Sequence, residues 1–415
     1  MRELYKTLSV PISTHVELTT RCTNRCEHCY NCWRIADTNI EQPIYNWDAK
    51  DIIDLVDILA DAKVFNILFT GGEPTLVRKT LLNGVSHAIH RGLGVALNSN
   101  LVPITVTYAE ELKSAGLDSV LTSILGPSSQ IHDSITGLKG SWKKTLDNIA
   151  LMQDAGIGIN VSVVISQSNK HLIEDTVHLL HRINVRSIHL TRASCPSNCS
   201  DFSRLELNQE DFRAYLQKAH HLEQELDIHL GALECYPLCG VGDLYKHKST
   251  LGRRCVAGIS SIAIGANGQA RACTHVETEY GHVLQESLDK IWARMSQWRD
   301  GSLIPSVCKE CPMFAYCGGG CRMDAKMKHG EFNTLDPHAN TSNLNQCIES
   351  FKKLPPYQPL PTKLPDVFQA HPKLRMRSES FGSIVMIGLK CAAYLNHKAT
   401  KLVSHILNHG TTTLP

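Results

Sequence analysis

From Thr14 to about Ile188, short β-branched, apolar runs alternate with longer helical patterns, and no other feature of the chain constrains its fold as strongly. Strands are expected at 14–19, 64–70, 93–98, 118–124, 157–165 and 186–191. Helices are expected near 47–61, 78–91, 104–115, 141–155 and 170–183; in the first, Ile52, Ile53, Val56, Leu59 and Ala60 share one face. Repeated strand-helix-strand units imply a parallel α/β sheet with right-handed crossovers. Six such units make either an open sheet or a partial (β/α)6 barrel, and periodicity does not choose between them. In both, ligand groups gather in loops beyond the carboxyl ends of the strands.

Residues that carry chemistry stand at those ends. After the first strand come Cys22, Cys26 and Cys29, spaced C-x3-C-x2-C and followed by Tyr30. Three thiolates fit three irons of a cubane cluster and leave the fourth iron open to a small molecule. A zinc site that includes His28 is the competing reading. After the second strand comes Thr70-Gly71-Gly72-Glu73-Pro74, where two glycines let backbone groups approach a ligand closely. Alone, such a stretch is a plain turn. Asn98-Ser99-Asn100 follows the third strand, Ser123 lies near the end of the fourth, and Asn160 and Asn169 flank the far part of the fifth.

That ordering resembles the radical S-adenosylmethionine (radical SAM) enzymes over roughly residues 12–200. The resemblance implies a partial (β/α)6 TIM-like barrel in which Cys22, Cys26 and Cys29 hold a [4Fe-4S] cluster and the methionine part of SAM chelates the open iron. Gly71, Gly72 and Glu73 would receive its amino group, with Tyr30 beside the cofactor. Asn98, Asn100 and Ser123 are candidates for ribose or carboxylate contacts, or equally turn residues. In such enzymes the reduced cluster gives one electron to the sulfonium, and the resulting 5'-deoxyadenosyl radical abstracts an unactivated hydrogen atom. The cofactors perform the hard step, and the protein positions the substrate.

The totals agree with an intracellular metalloprotein. With 415 residues, two or three units are expected. A formal net charge of +2 offers no basic field for nucleic acid, and the 21 histidines are scattered. Sixteen cysteines are abnormal, yet Met1 to Ser13 has no apolar core for a signal peptide, so reduced, metal-binding thiols in the cytoplasm are expected. The apolar run near Phe381 to Leu389 is too short to span a bilayer.

Past a helix that Asn208 would cap, the cysteines return as Cys255-x12-Gly268-x4-Cys273, then Cys308-x2-Cys311-x5-Cys317-x3-Cys321, and last Cys347. Zinc knuckles would use such pairs. The whole order resembles the SPASM extension of radical SAM peptide maturases, and Cys317-Gly318-Gly319-Gly320-Cys321-Arg322 is similar to its Cys-Gly-Gly-Cys-Arg turn. The resemblance implies two auxiliary [4Fe-4S] clusters: a distal one on Cys308, Cys311, Cys317 and Cys347, and a nearer one on Cys255, Cys273 and Cys321. For the nearer cluster's fourth ligand, Cys239 is the first choice, Cys235 the second, and an iron open to substrate the third. Cys32, Cys195, Cys199 and Cys391 remain outside these sets, with Cys195 and Cys199 following the sixth strand.

The organisation expected is a radical SAM barrel at 1–205, a bridging helix and linker at 206–250, a SPASM domain at 251–352, a proline-rich linker at 353–372 and a small tail at 373–415. In the tail, 374–385 and 393–396 read as two strands before a helix at about 397–408. This partly resembles the opening of the peptide-chaperone fold that accompanies pyrroloquinoline quinone biosynthesis, whose modules add a leader peptide to a sheet edge. A tail that only packs on the main body is the alternative. The function implied is a maturase that modifies a ribosomally made precursor peptide by crosslinking, thioether formation, epimerisation or excision. It would draw electrons from an external carrier such as flavodoxin or ferredoxin, with a leader-binding protein as a further partner. Neither nucleic acid nor membrane is an expected partner. An anaerobic sulfatase maturase is the runner-up, but those enzymes have Asp directly after the cysteine matching Cys273, where this chain has Thr274 and His275. A non-catalytic iron-sulfur or zinc-binding protein would explain the cysteines but not the strand ends.

Overall fold

A computed structural model describes residues 5–34, 43–196, 202–354, 367–369, 371, 373–389, 392–409 and 411–413. Six strands follow one another: β1 (Ser13–Glu17), β2 (Asn66–Thr70), β3 (Gly94–Asn98), β4 (Ser119–Ser123), β5 (Gly158–Ile165) and β6 (Ser187–Arg192). Each is hydrogen-bonded in parallel to the next in sequence, so every crossover helix returns the chain one strand along. That is the layout of a partial (β/α)6 barrel.

The crossover helices are α1 (Asp51–Asp61), α2 (Arg78–His90), α3 (Val106–Ser114), α4 (Ser129–Thr136), α5 (Ser141–Asp154) and α6 (Ile173–Arg182). Their apolar stripes cover the outer face of the sheet; α1 buries Ile52, Leu55, Val56 and Leu59, and the strands meet it with Val16, Ile67, Phe69 and Leu97. The first helix begins at Asp51 and not at 47, because the Asp48 carboxylate accepts the Lys50 and Asp51 N–H groups at 2.7 Å each and caps it there. α4 escapes the sequence pattern, since Ile131 and Ile135 are its only large apolar residues. On the inner face His15, Asn98, Ser123, Asn160 and His189 are only half-buried. The interior of the barrel is therefore polar and accessible.

The sheet does not stop at six strands. β7 (Leu230–Gly231) pairs beyond β6, while β8 (Ser261–Ile264) pairs in parallel with the other edge of β1 and carries β9 (Gln269–Arg271) and β10 (Glu279–His282). The cysteine-rich region thus begins as an extension of the barrel's own sheet. Between them runs α7 (Gln209–Leu226), whose predicted cap is present: Asn208 Oδ1 accepts the Asp211 N–H at 2.8 Å.

In the tail, β11 (Val367–Gln369) pairs with β15 (Thr411–Thr413), and β12 (Leu374–Glu379), β13 (Gly382–Ile387) and β14 (Ala393–Asn396) form an antiparallel meander before a helix at His397–His409. A turn before Gly382, whose φ is 138°, divides the run that the sequence presents as one strand. The meander docks on the amino ends of the barrel strands. Arg377 donates to the carbonyls of Val10 and Pro11 at 2.9 and 2.8 Å, and Arg375 to Asn66 Oδ1 at 3.0 Å. Cys199, Cys391 and most of the proline-rich stretch lie outside the described residues. Among the described residues no helix is long and apolar enough to cross a membrane.

Candidate active site and iron-sulfur sites

The cysteine loop leaves β1 and is fixed from two sides. The Leu18 N–H donates to the Thr70 carbonyl at 2.8 Å, and the Arg25 and Glu27 N–H groups donate to Thr136 and Ile135, at the end of α4, at 2.7 and 3.0 Å. Cys22, Cys26 and Cys29 are half-buried within it and within electrostatic reach of one another. The Asn24 N–H points at Cys22 Sγ at 3.4 Å, and Asn100 Nδ2 approaches the same sulfur at 3.8 Å. These donors favour the thiolate, the form that binds iron. Burial opposes them: the Cys22 thiol is pushed up to about 11, and Cys26 is pushed up as well.

The glycine turn lies directly on this loop. The Gly72 N–H donates to Thr19 O and the Glu73 N–H to Arg21 O, both at 2.7 Å. A Cβ on Gly72 would stand 2.0 Å from Arg21 O, and one on Gly71, at φ 127°, 2.6 Å from Thr19 O. The glycines are thus required by the backbone of the cysteine loop itself. Glu73 is fully buried, and burial raises its pKa. Its Oε1 accepts the Thr75 N–H and hydroxyl at 3.1 and 2.5 Å and the Ser99 hydroxyl at 2.7 Å; Oε2 accepts the Asn100 N–H at 2.7 Å. A carboxylate has about four acceptor positions, distributed over both oxygens, so Oε2 keeps capacity for a further donor.

The remaining strand-end residues divide by role. Asn98 is hydrogen-bonded to the Tyr30 hydroxyl, which also meets Thr70 Oγ1 at 3.2 Å. Asn100 donates to Thr23 Oγ1 at 2.8 Å and accepts the Val102 N–H at 2.9 Å. Both asparagines brace the cysteine loop. Ser123 stands half-buried at the end of β4, opposite Ser162. Asn160 donates to Val120 O at 3.3 Å, and Asn169 spends its amide on the carbonyls of Leu125 and Val164 at 2.9 and 2.8 Å. The structure gives contacts to residues that the sequence reading named without a role or did not name. Ser99 reaches Glu73, and His275 stacks on Tyr30 with ring centroids 5.3 Å apart and planes 12° from parallel. His15 lies within reach of His275. His15 shares an alternate face of its strand with Glu17, so period-two counting could have found it.

The second cysteine field forms two sets. Cys255 is hydrogen-bonded to Cys235 and lies within reach of Cys273 and Cys321. Cys239 shares an apolar cavity with Cys308, Cys311 and Cys317, and Cys347 lies within reach of it. Of the two cysteines considered for the nearer set's fourth position, Cys239, on the short helix α8 (Leu238–Val241), lies beside the distal set, and Cys235 lies beside Cys255. Sequence spacing could not distinguish two cysteines so close together. Between the sets Gly318, Gly319 and Gly320 all have positive φ, 66°, 86° and 80°, a path open in practice only to glycine. The field is held to the barrel by buried Arg192 at the end of β6, which ion-pairs with Asp324 and with Asp336 Oδ2 at 3.3 Å. Asp336 Oδ2 in turn accepts the Cys321 N–H at 2.8 Å.

Comparison with known proteins agrees with this geometry. The radical SAM superfamily matches residues 16–180, and the iron-sulfur cluster-binding SPASM domain matches residues 255–312. The AdoMet-dependent heme synthase of Nitratidesulfovibrio vulgaris is 24% identical, the match spanning 77% of this chain and 90% of that protein. The PqqA peptide cyclase of Xanthomonas euvesicatoria is 26% identical, over 85% of this chain and 93% of that one. Among solved structures, anSMEcpe with bound AdoMet superposes with a TM-score of 0.65 at 17% identity, covering 83% of this chain and 98% of that one. Streptococcus suis SuiB bound to its precursor peptide SuiA gives 0.64 at 15% identity, covering 79% and 75%. A radical SAM domain uses a [4Fe-4S] cluster and SAM, and a SPASM domain binds iron-sulfur clusters. With both domains matched over the stretches that hold the first cysteine loop and much of the second cysteine field, the chain is a radical SAM enzyme with a SPASM iron-sulfur extension.

Proposed function

We propose that the enzyme is a maturase that abstracts a hydrogen atom from a ribosomally made precursor peptide, with Cys22, Cys26 and Cys29 as ligands of the SAM-binding cluster. When bound, cluster and SAM together supply the radical that takes the hydrogen. The chain's own residues position and shield. Glu73 Oε2 is the acceptor offered to an ammonium group, and the Gly71–Gly72 turn sets its distance from the cysteine loop. Tyr30 stacks on His275, two residues beyond Cys273, and so joins the first cysteine loop to the nearer auxiliary set. The observation that carries the reading is this placement: cysteine loop, glycine turn and nearer set meet at the carboxyl end of a polar, accessible barrel.

The peptide as substrate is supported by the relatives that act on or bind peptides, the PqqA peptide cyclases and SuiB with SuiA. A leader strand is supported by β14, whose outer edge is unpaired among the described residues and whose Tyr394 is exposed. Electrons would come from a flavodoxin- or ferredoxin-type carrier. The heme synthases support a second reading, in which the barrel takes a non-peptide substrate such as a tetrapyrrole.

Anaerobic reconstitution followed by dithionite and SAM should yield 5'-deoxyadenosine. The Cys22→Ala/Cys26→Ala/Cys29→Ala variant should lose that product while retaining auxiliary iron. Co-expression with a short precursor encoded nearby should change the peptide's mass. Stimulation of 5'-deoxyadenosine by a tetrapyrrole, with every such peptide left unchanged, would transfer the conclusion to the second reading.

A further inference from the structure

We infer that Cys235 completes the ligand set of the nearer auxiliary site with Cys255, Cys273 and Cys321, so that this site has four thiolates and no iron open to substrate. The inference rests on the reading of that site as an iron-sulfur site. It goes beyond the spacing pattern, which supplies three cysteines there and leaves the fourth position undefined.

Three observations carry it. The Cys235 thiol is hydrogen-bonded to Cys255 and has Cys321 within reach, while no cysteine lies between Cys255 and Cys273 to compete for the place. Cys239 lies elsewhere, lining the cavity with Cys308, Cys311 and Cys317. The chain from Cys235 to Cys239 is also held in place between the two sets. The Cys235 carbonyl accepts from Arg192 Nη2 at 3.1 Å, and the Tyr236 N–H donates to Arg253 O at 3.2 Å, beside the segment that leads to Cys255. Tyr236 is completely buried and its hydroxyl donates to Leu190 O at 3.3 Å. At the far end the Leu238 N–H donates to Cys317 Sγ at 3.4 Å. One strap therefore presents a thiol to each set, and its backbone is anchored to β6 between them.

The consequence is functional. A cubane with an unligated iron can hold a substrate group, as the first loop is built to do, whereas a cubane with four thiolates cannot. The nearer site is then an electron-transfer centre, and the substrate must be held by protein side chains alone. Among the other described cysteines, Cys32 is turned toward Arg271 and the Val276 carbonyl.

The test uses the Cys22→Ala/Cys26→Ala/Cys29→Ala protein, in which only auxiliary iron remains, reduced and examined by EPR with and without cyanide. The parent should show no cyanide-sensitive signal. Adding Cys235→Ala should create one at unchanged protein fold. If that variant loses its iron, Cys235→Ser, which keeps an oxygen ligand, should retain the iron and change the spectrum of one cluster. A cyanide-sensitive parent, or a Cys235→Ser spectrum identical to the parent's, would overturn the assignment while leaving the iron-sulfur reading intact. Failure of the wild-type protein to take up iron, with zinc filling the sites, would instead overturn that reading.

Discussion

Gly72 shows how one missing side chain serves two neighbours. Its Cβ position is filled by the Arg21 carbonyl at 2.0 Å, so Gly72→Ala must push apart the glycine turn and the cysteine loop. The expected outcome is loss of about four irons per chain, one cubane's worth, with auxiliary iron retained and 5'-deoxyadenosine formation lost; iron counting and product analysis check it. The sequence showed that Gly71, Gly72 and Glu73 stand at a strand end. It could not show that the glycines are needed by another loop, or that Asn98 and Asn100 act as braces, because those contacts join segments distant in the chain. The same limit applies to Cys235 and Cys239, which differ in their surroundings and not in their spacing.

At the scale of elements, β2 to β6 were legible to within two residues, since each has an apolar run bounded by turn residues. β8, β9 and β10 were not: three or four residues apiece give no period to count, and their pairing with β1 is a long-range event. The tail was legible as strands and helix, but not its docking, which depends on two arginines finding backbone carbonyls at the base of the barrel. Arg377→Ala with Arg375→Ala should therefore release the meander as a unit. Limited proteolysis should cut between the SPASM region and the tail faster than in the wild type, while 5'-deoxyadenosine formation without peptide stays unchanged. If β14 receives a leader strand, precursor affinity should survive this release and vanish on deletion of residues 366–415.

Across the whole molecule, burial holds histidines neutral in two separate places. His132 and His247 are each buried and lowered to about 4, chiefly by desolvation. In the unfolded chain they titrate at about 6.5. Between these values the unfolded state binds more protons, so stability is present above the upper value and is lost as pH falls through the window. The denaturation midpoint should drop between about pH 7 and about pH 5, and His247→Gln should reduce that drop. The ten-stranded sheet has a further consequence for how the protein is made. β1 takes β2 on one edge early in synthesis, but its other edge waits for β8, where Ser13 finally meets Ser261. Contacts so distant in sequence are slow to form, and a nascent chain meanwhile exposes an unpaired strand beside its first three cysteines. Cluster loading before the ribosome has delivered Ile264 would find that loop on half a foundation, so maturation of the metal site is expected to follow translation.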